Sequence, residues 1–398
     1  MNVLLVDDEA QVLRGVARTI ECEAEEWEVH SANSAAEALE CLDSEKIDVI
    51  VTDMSMPQMD GAELLEIVEI RFPNVLRIVL SGQADRDSVL RAIKPMHQYL
   101  SKPCDPDVLL AAIRRAEIYK DTITSSEVLD AVGRANCLPT LPSIVAEINQ
   151  EIDSDHGTIA TIASVVSRDP VLSAKILQIA NSAIFSVRQP ILDVEHGLSL
   201  LGVEMVRSLA ISLAVFSTEN RATLQTATQL FEHSVDVANI ARTIASVEEV
   251  DSTTLNTVLS AGLLHDIGKM ILFNAFSDRY TSLISRSERG LHQAVDLEKE
   301  EFGCSHPGIG AYLLERWGVP KELTDAVAAH HSLGICSRAE IATQIVYAAN
   351  WIATHPDGAT PIDVEEIQSP MSKKLTKFLC QLKRWSIHYR ETQQAPTS

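Results

Sequence analysis

The sequence predicts a doubly wound α/β domain with a five-stranded parallel sheet, followed by an all-α domain. Residues 1–118 alternate short apolar strand runs with helical patterns over short connections, the rhythm of βα units. From about residue 121 the strand signals stop, and amphipathic helical patterns follow one another between Pro, Gly and Asp-Pro breaks. In the first part, charged residues close the apolar runs. Asp7-Asp8 follow Val3–Val6, Asp53 follows Val49–Thr52, and Lys102-Pro103 follow residues 96–101. That pattern describes the C-terminal edge of a parallel sheet, where ligands gather.

Taken in order, the strand runs are Val3–Val6, Glu28–Ser31, Val49–Thr52, Leu76–Leu80 and Gln98–Ser101, with helices expected near 9–22, 35–44, 61–71, 86–94 and 105–120. Residues 111–132 keep apolar residues at helical spacing and read as one helix leaving the first domain. The later helices are expected over Ser143–Glu151, Thr158–Val166, Val171–Ala180, Val203–Phe216, Leu224–Val247 and Leu255–Phe273. Asp169-Pro170 reads as a helix start, with Asp as N-cap and Pro in the first turn. The polar end, Glu391–Ser398, is expected to fray. The domains are therefore drawn at 1–118, a helical linker 119–133, 134–340, and a C-terminal helical extension with a frayed tail at 341–398.

The 398 residues carry a formal net charge of -23, which disfavours binding to a phosphate backbone. No apolar run approaches the roughly 18–20 residues of a membrane span, and the first residues lack the basic region of a signal peptide. The seven cysteines are scattered and show no CxxC, as reduced thiols would be. A cytoplasmic protein that meets neither nucleic acid nor membrane is expected.

Asp7, Asp8 and Asp53 at one sheet edge would repel one another. Two unit charges about 4 Å apart cost on the order of 4 kcal/mol at an effective dielectric near 20. Mg²⁺, a hard ion that takes one or two carboxylates and a phosphate oxygen, removes that cost. Lys102 offers a second positive charge, and Ser81 a hydroxyl after the fourth strand. A carboxylate held beside Mg²⁺ and Lys can attack phosphorus and form an acyl phosphate.

On these motifs residues 1 to about 118 resemble the receiver domain of two-component response regulators, a flavodoxin-like fold. The resemblance implies that Asp53 is the phosphoacceptor and that Asp7, Asp8, Asp53 and the backbone carbonyl of Ser55 hold Mg²⁺. It makes Ser81 the switch hydroxyl, Tyr99 the switch aromatic and Lys102 the lysine that contacts the phosphoryl group. It also implies a cis Lys102-Pro103 bond and a sensor histidine kinase as phosphodonor. Met56-Pro57 and Asp60-Gly61 match the loop after the acceptor.

The helical part holds His233, His265-Asp266 in AGLLHDIGKMIL, His306 in SHPGIGAYLLERW, and His330-His331 in AVAAHH. Imidazole and carboxylate suit Mn, Fe, Zn and similar ions, and facing helices can hold them in a bundle core. Ser305 and Pro307 place His306 at a helix N-terminus. Adjacent helical residues diverge by about 100°, so His330 and His331 share one centre only where the helix ends.

That spacing resembles the HD superfamily of metal-dependent phosphohydrolases, and LPTLPSIVAEI, SRDPVLSAKILQIANSAIF and Leu201-Gly202 resemble its HDOD branch over about residues 130–340. The resemblance implies metal ligation by residues matching His233, His265 and Asp266. HDOD domains are regarded as signalling or scaffold outputs without established catalysis. SLGICS after His331 departs from the Gly-Tyr-Pro segment of cyclic-di-GMP phosphodiesterases, and Asn350 stands where a closing Asp is expected. Two readings follow. In the favoured one, a homodimeric response regulator carries a protein-binding HDOD output and an unidentified downstream partner. The alternative is a phosphorylation-gated, metal-dependent phosphohydrolase acting on a cyclic dinucleotide or another phosphoester. A third has the helical domain bind a nucleotide without cleaving it.

Overall fold

The computed structural model describes residues 1–82, 95–120, 122–135, 140, 142–154, 157–182, 185, 187, 189–214, 221–286, 291–355 and 373–394. The expected helix at 86–94 and Cys137 lie outside these residues. The chain gathers into two compact units, one of residues 1–138 with 178–190 and 312–319, the other of 139–177 with 191–311 and 320–398.

In the first unit, β1 (Asn2–Val6), β2 (Glu28–Ala32), β3 (Val49–Asp53), β4 (Leu76–Ser81) and β5 (Gln98–Ser101) form one sheet in the order β2-β1-β3-β4-β5. All four pairings are parallel, as the alternating strand and helix signals predict. Helices α1 (Ala10–Glu23), α2 (Ala35–Ser44), α3 (Gly61–Arg71) and α4 (Pro106–Lys120) accompany it. The central strands are apolar on both faces because both are covered. Val3, Leu5, Val51, Ile78 and Leu80 pack with Leu13 and Ile20 of α1 and with Leu109 and Ile113 of α4. Register then places the chemistry. Val6 lies opposite Thr52, so Asp7 and Asp53 emerge side by side, and Ser81 pairs with Ser101, just before Lys102. A capping box between Asp60 and Glu63 starts α3 directly after the loop that follows Asp53.

The stretch expected as one helix over 111–132 is two. After α4 the backbone leaves the helix at Thr122 and restarts as α5 (Ser126–Gly133), with Ser125 accepting from the Val128 amide. The β-branched Thr122-Ile123-Thr124 and a capping serine favour that break over helix continuation.

The following helices are α6 (Pro142–Asp153), α7 (Ile159–Val166), α8 (Pro170–Ala180), α9 (Val194–Leu201), α10 (Val203–Ala214), α11 (Arg221–Val247), α12 (Ser252–Leu264), α13 (Ile267–Ala275), α14 (Ser277–Arg286), α15 (Leu291–Phe302), α16 (His306–Arg316), α17 (Lys321–Ala329), α18 (Leu333–Cys336), α19 (Ile341–Thr354) and α20 (Lys373–Gln394). Asp169 caps α8 as predicted, accepting from the Leu172 amide at 3.0 Å. In the second unit, α11, α12, α19 and α20 share a core that includes Ile240, Ile244, Val258, Ile345, Phe378 and Trp385. The Trp385 indole donates to Glu248 at 2.8 Å, tying α20 to the residue after α11. That tie lies in the last helix, which runs on to Gln394 where fraying from Glu391 was expected.

The expected single helix Leu255–Phe273 is broken at His265-Asp266, between α12 and α13. Asp266 leaves helical geometry with φ -98° and ψ 12°, and its carboxylate turns to Lys269 one turn ahead. Gly268 brings α13 against the start of α16: a Cβ there would lie 2.1 Å from the His306 carbonyl oxygen. Both partners are backbone, so neither can yield as a side-chain tip would. Gly268→Ala is therefore expected to cost about 3 kcal/mol or more and to lower the thermal unfolding midpoint clearly.

Candidate functional site

At the sheet edge Lys102 is the pivot. Its Nζ lies 2.6 Å from Asp7 Oδ2 and 2.5 Å from Asp53 Oδ1. The remaining oxygens take backbone donors, Asp7 Oδ1 from Glu9 N and Asp53 Oδ2 from Ser55 N, both at 2.8 Å. Burial works against the Lys102 charge, but hydrogen bonds to Asp53 and Asp7 outweigh it and push its pKa up. Asp8 is exposed beside Asp7, while Ser81 and Tyr99 are buried. The Lys102-Pro103 bond is cis. Hard carboxylate oxygens of Asp7, Asp8 and Asp53 at one edge are the donor set Mg²⁺ prefers, and the residues present fit that ion.

The second centre lies among α11, α12, α13, α16 and α17. Asp266 is completely buried and receives histidines on both oxygens. Around Oδ1 stand His306 Nε2 at 3.3 Å and His330 Nε2 at 3.5 Å, themselves 3.2 Å apart. Around Oδ2 stand Lys269 Nζ at 2.7 Å, His265 Nε2 at 3.3 Å and His233 Nε2 at 3.7 Å. His331 joins the Oδ1 group: α17 ends at Ala329, so His330 and His331 lie in a turn and both reach the centre. His306 opens α16, as its neighbours predicted.

The outer ring nitrogens explain why the inner ones converge. His265 Nδ1 lies 2.7 Å from the Gly262 carbonyl, His330 Nδ1 2.6 Å from the Val327 carbonyl, and His306 Nδ1 2.7 Å from Glu298 Oε2. With Nδ1 donating, a neutral imidazole keeps Nε2 as an acceptor. His306 Nε2, His330 Nε2 and Asp266 Oδ1 face one another. Edges of 3.2, 3.3 and 3.5 Å compare with about 3.4 Å for a tetrahedron of roughly 2.1 Å bonds. Among the described residues, His265 Nε2, Asp266 Oδ1 and His331 Nε2 are buried without a hydrogen-bond partner. Buried polar atoms are rarely left so, and a transition metal fits this donor set.

Electrostatics agree. Burial lowers His265 to about 4 and takes His306 and His331 well below the usual range, which keeps these imidazoles neutral as ligation requires. Burial opposes the Asp266 charge, yet the Lys269 ammonium beside it helps hold its carboxyl well below the ordinary value. On the Oδ2 side Asn350 Oδ1 lies 3.2 Å from His233 Nε2, so a neutral amide stands where an anionic ligand would close the group.

Three residues here were not assigned roles from sequence. Lys269 sits in the HDIGK run, one turn after Asp266, a spacing that could have disclosed it. Glu298 and the Tyr280 that donates to it at 2.9 Å carry no local signal.

The family models match the chain twice, as a response regulator receiver domain over residues 3–114 and as an HDOD domain over residues 138–333. The hydrogenase transcriptional regulatory protein HoxA of Cupriavidus necator is 36% identical over 117 residues, 29% of this chain and 24% of that protein. An uncharacterized protein of Treponema pallidum is 24% identical over 213 residues, 53% of this chain and 41% of that protein. The chain thus spans well under half the length of these relatives. The MmoQ response regulator of Methylococcus capsulatus superposes with a TM-score of 0.47 at 22% identity, covering 62% of this chain and 93% of that one. The chain belongs to the response regulators that join an N-terminal receiver domain to a C-terminal HDOD domain.

Lys269 is the only cation bonded to Asp266 among the described residues. Lys269→Met leaves that carboxylate buried without it and is expected to destabilise the metal-free protein by about 3–5 kcal/mol, measured by denaturant unfolding.

Proposed function

We propose that this response regulator accepts a phosphoryl group on Asp53 and passes the change to its HDOD domain, which acts by binding a protein partner. The observation that carries the reading is the Lys102 ammonium shared between Asp7 and Asp53. In the reaction an oxygen of Asp53 attacks the phosphorus of a phosphohistidine. The new O–P bond forms as the P–N bond breaks, and the imidazole nitrogen keeps the electron pair and takes a proton. Lys102 then turns from Asp53 to a phosphoryl oxygen. Asp7, Asp8, Asp53 and the Ser55 carbonyl would hold Mg²⁺, which would supply positive charge against the phosphoryl oxygens. The product adds roughly two negative charges at pH 7. Ser81 and Tyr99, buried on β4 and β5, are the groups that respond. The shift is one of population, coupled to dimerisation, in a cytoplasmic protein.

The test compares wild type with Asp53→Asn, with and without Mg²⁺ and a small acyl-phosphate donor. Wild type is expected to gain one phosphoryl mass and change its oligomeric state and co-purifying partners, and Asp53→Asn to do neither. Phosphorylation that leaves assembly and partners unchanged counts against the relay.

The three converging acceptors around Asp266 Oδ1 favour a second reading of the same domain, in which His306, His330, His331 and Asp266 hold a transition metal. Such an ion would supply Lewis acidity for phosphoester hydrolysis, the alternative activity. Asn350 and Lys269 weigh against a second ion beside His233 and His265. Protein from metal-supplemented cultures is expected to retain about one transition-metal ion per chain by elemental analysis. His306→Ala is expected to lose most of it, and metal-free wild type would remove this reading.

A further inference from the structure

Glu298 stands in α15 within the acidic run LEKEEF, whose neighbours Lys299, Glu300 and Glu301 are exposed. It is nevertheless completely buried. Both oxygens are committed. Oε2 accepts from the backbone N–H of His306 at 2.8 Å and faces Nδ1 of the same residue at 2.7 Å, while Oε1 accepts from the Tyr280 hydroxyl at 2.9 Å. One carboxylate oxygen therefore holds both the first amide of α16 and the imidazole of the residue that carries it.

This double grip does two things to the ring. It fixes the plane and rotation of the imidazole by tying it to the same point as its own backbone. It also sets the proton. A carboxylate oxygen already taking the His306 amide is an acceptor, so the ring contributes Nδ1–H and keeps Nε2 bare. Nε2 is the nitrogen 3.3 Å from Asp266 Oδ1 and 3.2 Å from His330 Nε2. His265 and His330 achieve the same orientation with backbone carbonyls of their own helices. His306, at the first position of α16, has no preceding turn to offer one, and Glu298 takes that place. Capping alone explains less. Ser305 directly precedes α16 and is a residue type that caps unaided, so burying a carboxylate costs more than a cap requires.

We infer that Glu298 is a positioning residue for the histidine centre, holding His306 in the Nδ1–H tautomer with Nε2 presented as a ligand to a transition metal. The inference rests on the metal reading of the centre, and carboxylate–histidine–metal chains are a general device for raising ligand basicity and fixing orientation.

The experiment uses the full chain with histidine ¹⁵N labels and compares wild type, Glu298→Gln and Glu298→Met. Gln keeps an acceptor at the same place, while Met fills the volume without one and leaves no buried charge. Metal-free wild type is expected to show His306 as Nδ1–H. Glu298→Met is expected to lose that tautomer and to bind Co²⁺, titrated alone, about 10–100-fold more weakly. Glu298→Gln is expected to restore the tautomer and most of the affinity. Folded Glu298→Met with unchanged tautomer and Co²⁺ affinity overturns the proposal. So does an Nε2–H His306 in wild type, which decides the matter even where Glu298→Met fails to fold. Wild type that takes up no Co²⁺ overturns the metal reading and, with it, the ligand role of His306. The tautomers of wild type and Glu298→Met then decide separately whether Glu298 orients the ring.

Discussion

A carboxylate withdrawn from water must be given a cation or a set of donors, and both centres of this protein are answers to that demand. At the sheet edge, Lys102 spans Asp7 and Asp53 while backbone amides fill the oxygens it leaves. In the helical domain, Lys269 takes one oxygen of Asp266 and His306 and His330 crowd the other. The parallel strands and the broken helix at His265-Asp266 are arranged around these two needs.

The two solutions differ in access, and the difference matches the proposed roles. The Lys102 side chain is 25% exposed, so a phosphodonor can reach the pair it bridges and the ammonium can change partners. Asp266, His265 and His306 are sealed from solvent. A sealed group is suited to holding an ion or a fixed geometry, and its neutral imidazoles keep ligation open at neutral pH. With Asn350 on one side and His306, His330 and His331 grouped with Asp266 on the other, the centre is asymmetric, which favours one occupied position over two.

Much of the first domain was legible because its signals are local. Val49–Thr52 is an unbroken buried strand, and the acid after it marks the sheet edge whatever the rest of the chain does. The histidines were legible as residues but not as a geometry: only the end of α17 at Ala329 lets His330 and His331 meet at one centre. The helix through 255–273 misled because apolar periodicity carries across a break made by one buried carboxylate. Glu298 was invisible. In an acidic, helix-forming run nothing distinguishes it from Glu300 or Glu301, and its burial arises from tertiary packing against Tyr280 and His306.

Phosphoryl transfer to Asp53 is tested most directly by mapping the acyl phosphate itself. Protein treated with Mg²⁺ and a phosphodonor is reduced with borohydride, which converts an aspartyl phosphate to an alcohol, and the modified residue is located by peptide mass spectrometry. Reduction is expected at position 53, dependent on the donor. Label at Asp7, Asp8 or elsewhere, or none in protein whose receiver domain is folded, would contradict it.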